Sequence, residues 1–190
     1  MAVLLRRVPV RVLASWLLAL GVLGVGRDGA AQQVSAAELK AAFLINFARF
    51  ADWPADARAD GDPFQFCVVG DRGVAAALEQ TIRVHPSPLS MRVAVVKIDA
   101  GVTHCHLLYA SGIDGRQAAQ LTEIVKGLPV FTVADSDGFA EHGGVAQLIE
   151  ERGRMRFAIN AAAAQRSRLA LNARLLSLAT LVKDVPDATR

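Results

Sequence analysis

The stretch Phe64-Gln65-Phe66-Cys67-Val68-Val69-Gly70-Asp71 decides the fold. Its first six residues are apolar except for Gln65, and Gly70-Asp71 stops them. A short apolar run without polar alternation, closed by a turn signal, is the pattern of a strand buried on both faces. The residues after it agree. Val74, Leu78 and Ile82 recur at helical spacing, residues 85–90 form a loop with Pro86 and Pro88, and residues 92–98 are a second apolar strand. Residues 105–110 are a third, closed by Ser111-Gly112, and a helix over residues 117–125 leads through Gly127 to a fourth at residues 130–134. Apolar strands alternating with helices predict a single α/β domain whose largely parallel sheet is flanked by helices on both faces.

Upstream, Ser35 followed by Glu38 is a capping box, in which each side chain satisfies the other residue's free backbone N–H at a helix start. Leu39, Phe43, Phe47 and Phe50 form an aromatic-rich stripe before Trp53-Pro54, a stripe that belongs to the core or to a partner. Residues 56–63 are a polar loop. Downstream, residues 145–149 and 154–159 flank a turn and predict a hairpin-like pair with one face buried. Asn160 and Asn172 each stand where they can cap a short helix, and Leu175, Leu178, Ala179 and Val182 continue the second at helical spacing. Residues 184–190 are expected to be a disordered tail.

The first 31 residues differ from the rest. Arg6, Arg7 and Arg11 precede an apolar run from Val12 to Val25, followed by Gly29-Ala30-Ala31. A basic start, a short apolar core and small residues at a cleavage point predict a signal peptide over residues 1–31 and a periplasmic destination. The run is shorter than the roughly twenty residues that span a bilayer, which weighs against a retained anchor. Without this segment, four Arg and one Asp are lost from 21 basic and 18 acidic residues, leaving 17 of each and no net charge. No long-range field remains to attract nucleic acid. Residues 32–190 are expected to form one domain.

Cys67 and Cys105 are the two cysteines, both in the exported part, where an even pair reads as a disulfide, with two buried free thiols as the alternative. His104-Cys105-His106, read as strand, places the two histidines on one face and Cys105 on the other, which opposes a three-ligand metal site. Asp135-Ser136-Asp137-Gly138 begins like a calcium loop but has Ala146 at the twelfth position, where a bidentate Glu is needed. No nucleophile elbow, zincin or phosphate-loop motif occurs after residue 31, so neither catalysis nor a cofactor is expected. Gly70, Ser111 and Asp135 each follow a predicted strand, at the sheet edge where α/β domains bind small ligands. Glycine and short polar residues also end strands for conformational reasons alone. Phe139, Val145 and Ile149, around Gly143-Gly144, are the expected partner-facing residues.

Several segments together resemble the YfiR family of periplasmic proteins across residues 40–183. They are the helix from Lys40 through Phe43, Phe47 and Phe50 to Trp53-Pro54, the strand Phe66-Cys67-Val68-Val69-Gly70, and Thr132-Val133-Ala134-Asp135 with Gly138-Phe139-Ala140 and Gly143-Gly144. Arg156-Phe157-Ala158-Ile159-Asn160 with Leu175-Leu176 and Ala179 completes the set. The resemblance implies a non-enzymatic repressor. Its expected partner is the periplasmic sensor region of an inner-membrane diguanylate cyclase, with homodimerisation left open. It also implies that Cys67 and Cys105 form a structural disulfide, while the lack of a second cysteine pair departs from a redox switch built on two bonds. The other reading is a periplasmic small-molecule or metal-binding protein serving another membrane sensor.

Overall fold

The computed structural model describes residues 34–86 and 90–185. The expected signal peptide and residues 186–190 lie outside them. In chain order the elements are α1 (Ala36–Phe50), β1 (Ala51–Asp52), a 3-10 turn (Ala55–Ala57), β2 (Phe64–Val69), α2 (Arg72–Val84) and β3 (Met91–Val95). A second 3-10 turn (Ala100–His104), β4 (Leu107–Ala110), α3 (Gly115–Ile124) and β5 (Phe131–Ala134) follow. The chain then forms β6 (Ala146–Glu151), β7 (Arg154–Asn160), α4 (Ala161–Arg166), β8 (Ala170–Leu171), α5 (Ala173–Leu178) and β9 (Thr180–Val182).

Seven strands form one sheet in the order β3-β2-β4-β5-β6-β7-β9. The first five are mutually parallel, β7 is antiparallel to β6, and β9 runs parallel to β7. The expected α/β class is therefore present. Burial on both faces is visible in the alternation along β2, where Phe64, Phe66 and Val68 join one core and Cys67 and Val69 the other. The first core is roofed by α1 and α2 and by Ala163, Ala164 and Leu175 of α4 and α5; the second lies under α3 and Val102. A small antiparallel pair, β1 with β8, ties the end of α1 to the link between α4 and α5.

The capping chemistry holds at three helix starts. Ser35 and Glu38 make both bonds of the box, Asn160 accepts from Ala163 N–H at 2.9 Å, and Asn172 accepts from Arg174 N–H at 2.8 Å. The helix predicted to run on to Val182 stops instead at Leu178. Ala179 is extended, and Thr180–Val182 adds to the open side of β7. Spacings that suit a helix were overridden there by sheet pairing, which β-branched Thr180 and Val182 favour. Residues 184 and 185, the start of the expected disordered tail, are bonded to the domain. Asp184 bonds Asn160 Nδ2 at 2.7 Å and pairs with both terminal nitrogens of Arg166, and Val185 N–H donates to Glu141 O.

Cys67 and Cys105 are disulfide-bonded and buried, joining β2 to the approach to β4 across 38 residues. Closing a loop of that length removes chain entropy from the unfolded state. Reduction is expected to cost about 2–4 kcal/mol. Urea unfolding with and without reductant checks this, and an unchanged midpoint would contradict it.

Candidate functional site

Strand order reverses between β2 and β4, because the chain leaves β2 for β3 on one side and returns to β4 on the other. The carboxyl ends of strands at such a reversal leave the crevice where doubly wound domains place ligands. Gly70 ends β2 there in a left-handed conformation (φ +82°). Its missing side chain lets the Ser111 carbonyl pass so close that a Cβ would sit 2.2 Å from the oxygen. Asp135, at the end of neighbouring β5, reaches across to the same place.

Three donors converge on one oxygen of Asp135. Lys40 Nζ lies 2.8 Å from Oδ2, Tyr109 O–H donates to it at 2.8 Å and Ser111 O–H at 2.7 Å, while Gly112 N–H faces Oδ1 at 3.3 Å. Lys40 comes from α1, where it heads the buried line Lys40-Leu44-Phe47, and its ammonium also lies 5.6 Å from the Tyr109 ring centre. The chain's own lysine thus pairs with Asp135 at these strand ends. Gly70, Ser111 and Asp135 do come together as a sequence reader would place them, but around an internal ion pair.

Burial pushes the Tyr109 hydroxyl up to about 12. Burial also opposes both charges of the pair. The hydrogen bonds from Lys40, Ser111 and Tyr109 outweigh it at Asp135 and hold that carboxyl below its usual range, and those to Asp135 and Tyr109 raise Lys40 above its own. A carboxylate depressed in the folded state contributes stability that is present above its ordinary pKa, about 4, and is lost as pH falls through the folded value. The raised Lys40 contributes stability present below 10.5 and lost only at more alkaline pH. Both contributions are whole at neutrality. Asp135→Asn is expected to cost about 1–3 kcal/mol at pH 7, with the gap from wild type shrinking at pH 3, below the ordinary aspartate value of 3.8, where the unfolded chain takes up the proton that the folded carboxylate resists. Urea midpoints at both pH values decide it; an equal cost at each would contradict the ion pair.

The other sequence candidates fall differently. Phe139 and Val145 are 2% and 1% exposed, and Ile149 is half-buried, so the first two are core residues and offer a partner no surface. The Phe139 ring lies over Gly144, where a Cβ would come within 2.2 Å of it. His104 and His106 do not share a strand face. His104 ends a 3-10 turn and is exposed, whereas His106 is buried. Among the described residues no cluster of three or more His, Cys, Asp or Glu is arranged to hold a metal ion. An open cleft of about 500 Å³ lies between α3 and the turn after β5, lined among others by Ala118, Thr122, Ser136, Asp137, Glu141 and His142. Among the described residues no helix is long and apolar enough to cross a membrane.

Sheet order and site define a small doubly wound α/β domain with a Lys40–Asp135 ion pair at the carboxyl ends of its strands. The chain belongs to the YfiR/HmsC-like family, whose model matches residues 37–180. No curated protein matches it. Among solved structures it is similar to a conserved domain protein from Vibrio cholerae O1 biovar El Tor strain N16961, at 12% identity and a TM-score of 0.52. The likeness covers 79% of this chain and 60% of that one, and bears on the fold alone.

Proposed function

We propose that this protein is a periplasmic repressor that binds the periplasmic sensor region of an inner-membrane diguanylate cyclase and keeps cyclic di-GMP synthesis low. The observation that carries the reading is the family match over residues 37–180, since YfiR-like proteins are periplasmic regulators of diguanylate cyclases. With equal numbers of acidic and basic residues after position 31, binding rests on apolar anchors more than on charge steering.

Capture of membrane proteins from detergent extracts by the tagged domain tests the partner directly. A diguanylate cyclase with a periplasmic region is the expected catch. Leu178 and Leu181, 70% and 60% exposed, are apolar side chains that accept a charge without disturbing the core. If either contacts the cyclase, Leu178→Asp or Leu181→Asp weakens capture while leaving circular dichroism unchanged. The cleft between α3 and the turn after β5 favours a second reading, a periplasmic protein that binds a small molecule on behalf of a membrane sensor. Recovery of a stoichiometric metabolite and no cyclase would favour it.

A further inference from the structure

The segment of residues 54–63 contains no fully buried residue, although Pro54, Ala57 and Pro63 are half-buried. Among the contacts that hold it against the sheet are one imidazole and one ion pair. His106 Nε2 faces the Ala57 carbonyl at 3.2 Å, and Asp56 pairs with Arg168 at 2.7 Å. On the other side of the ring, the Gln65 backbone N–H donates to His106 Nδ1 at 2.9 Å. A backbone amide can only donate, so Nδ1 carries no proton and the ring is neutral with its hydrogen on Nε2. The ring stacks on Phe64, centres 4.9 Å apart, and the His106 carbonyl accepts from the Trp53 indole at 3.2 Å just before the segment begins.

The Nδ1 bond suits only the neutral form, whereas Nε2–H can donate to the Ala57 carbonyl in either charge state. A second proton on Nδ1 would point at the Gln65 N–H, replacing a hydrogen bond with two opposed donors. Turning the ring to relieve that opposition also withdraws Nε2 from Ala57. We propose that His106 is an acid-released latch, whose protonation detaches the segment at Ala57 from the sheet while the Asp56–Arg168 pair and the two cores stay in place. The latch is independent of which partner the domain binds.

The charged and titratable groups around the ring are Arg58 and Asp62 of the segment itself, Asp56, which is committed to Arg168, and His104 of the preceding turn. Burial and Arg58 disfavour the imidazolium; the Ala57 carbonyl and Asp62 favour it, and the balance lowers the histidine below 6.5. A histidine depressed in the folded state contributes stability that is intact above 6.5 and is lost as pH falls through the folded value. The latch is therefore closed at neutrality and opens below 6.5.

Amide exchange and ¹⁵N NMR on the purified protein test this. As pH falls from 7.5 through the range in which His106 titrates, after correction for intrinsic exchange rates, protection of the Gln65 amide is expected to fall at least tenfold, while amides of β4 and β5 keep theirs. The His106 ring nitrogens should titrate over the same range. His106→Asn keeps an acceptor where Nδ1 stood but cannot titrate, and should hold Gln65 protection constant across this range. A His106 that titrates at or above 6.5 with Gln65 unaffected would overturn the latch, as would an acid response unchanged in His106→Asn. If that variant does not fold, co-titration of His106 and Gln65 in the wild type decides the matter alone.

Discussion

Gly70→Ala is expected to lower the unfolding free energy by about 2–5 kcal/mol, from two costs that add. The left-handed backbone (φ +82°) penalises any residue with a Cβ, by about 1–2 kcal/mol. The new methyl group would also meet the Ser111 carbonyl oxygen at 2.2 Å. That oxygen belongs to backbone at the end of β4, so relief requires β2 and β4 to part where they are hydrogen-bonded, Ser111 N–H to Val69 O at 3.0 Å. Overpacking of this kind costs about 1–3 kcal/mol. Gly112 is the control: it too has a positive φ, but nothing lies within 4 Å of its would-be Cβ, so Gly112→Ala should cost only the conformational part. Equal losses from the two would mean that the close approach is absent.

Phe47→Ala is expected to cost about 3–5 kcal/mol. Phe47 is 1% exposed and sits where α1 meets the sheet, stacked on Phe131 at 5.5 Å and meeting the edge of Phe157 at 5.2 Å. Truncation removes both ring contacts and leaves a cavity between elements far apart in sequence. In a domain of this size the loss corresponds to a fall in Tm of roughly 6–20 °C. Leu39→Ala, on the half-buried side of the same helix, should cost much less. A larger loss at Leu39 than at Phe47 would show that α1 packs on the other face.

That contrast marks where the sequence was readable. β2, β4 and β5 are short apolar runs closed by turn residues, and both faces of each are buried, so composition alone located them. The start of α1 and the caps at Asn160 and Asn172 are local chemistry and were equally legible. The buried side of α1 was not. Its stripe is centred on Ala41, Leu44 and Phe47 rather than on Leu39, Phe43, Phe47 and Phe50, because α1 packs against α2 as well as the sheet and so carries apolar residues around much of its girth. Rotating the stripe is what hides Lys40: it looks like a solvated charge until Leu44 and Phe47 are seen to lie beneath it.

Long-range partners account for the remaining surprises. His106 takes its hydrogen bond from an amide 41 residues away, and Asp135 meets Lys40 across 95, distances over which no periodicity carries information. Phe139 beside Gly143-Gly144 reads as an exposed apolar turn, yet Gly144 is small so that the ring can fold in over it. β9 satisfies a helical spacing and a sheet edge equally well, and only the open side of β7 chooses between them.

The central claim is that the domain represses a membrane diguanylate cyclase, and the most direct measurement is intracellular cyclic di-GMP after deletion of this protein, with and without that cyclase. A rise on deletion is expected, one that vanishes when the cyclase is also absent and is reversed by restoring the wild-type chain. Cyclic di-GMP unchanged by deletion under every growth condition, with the purified protein binding a metabolite or metal tightly, would contradict it.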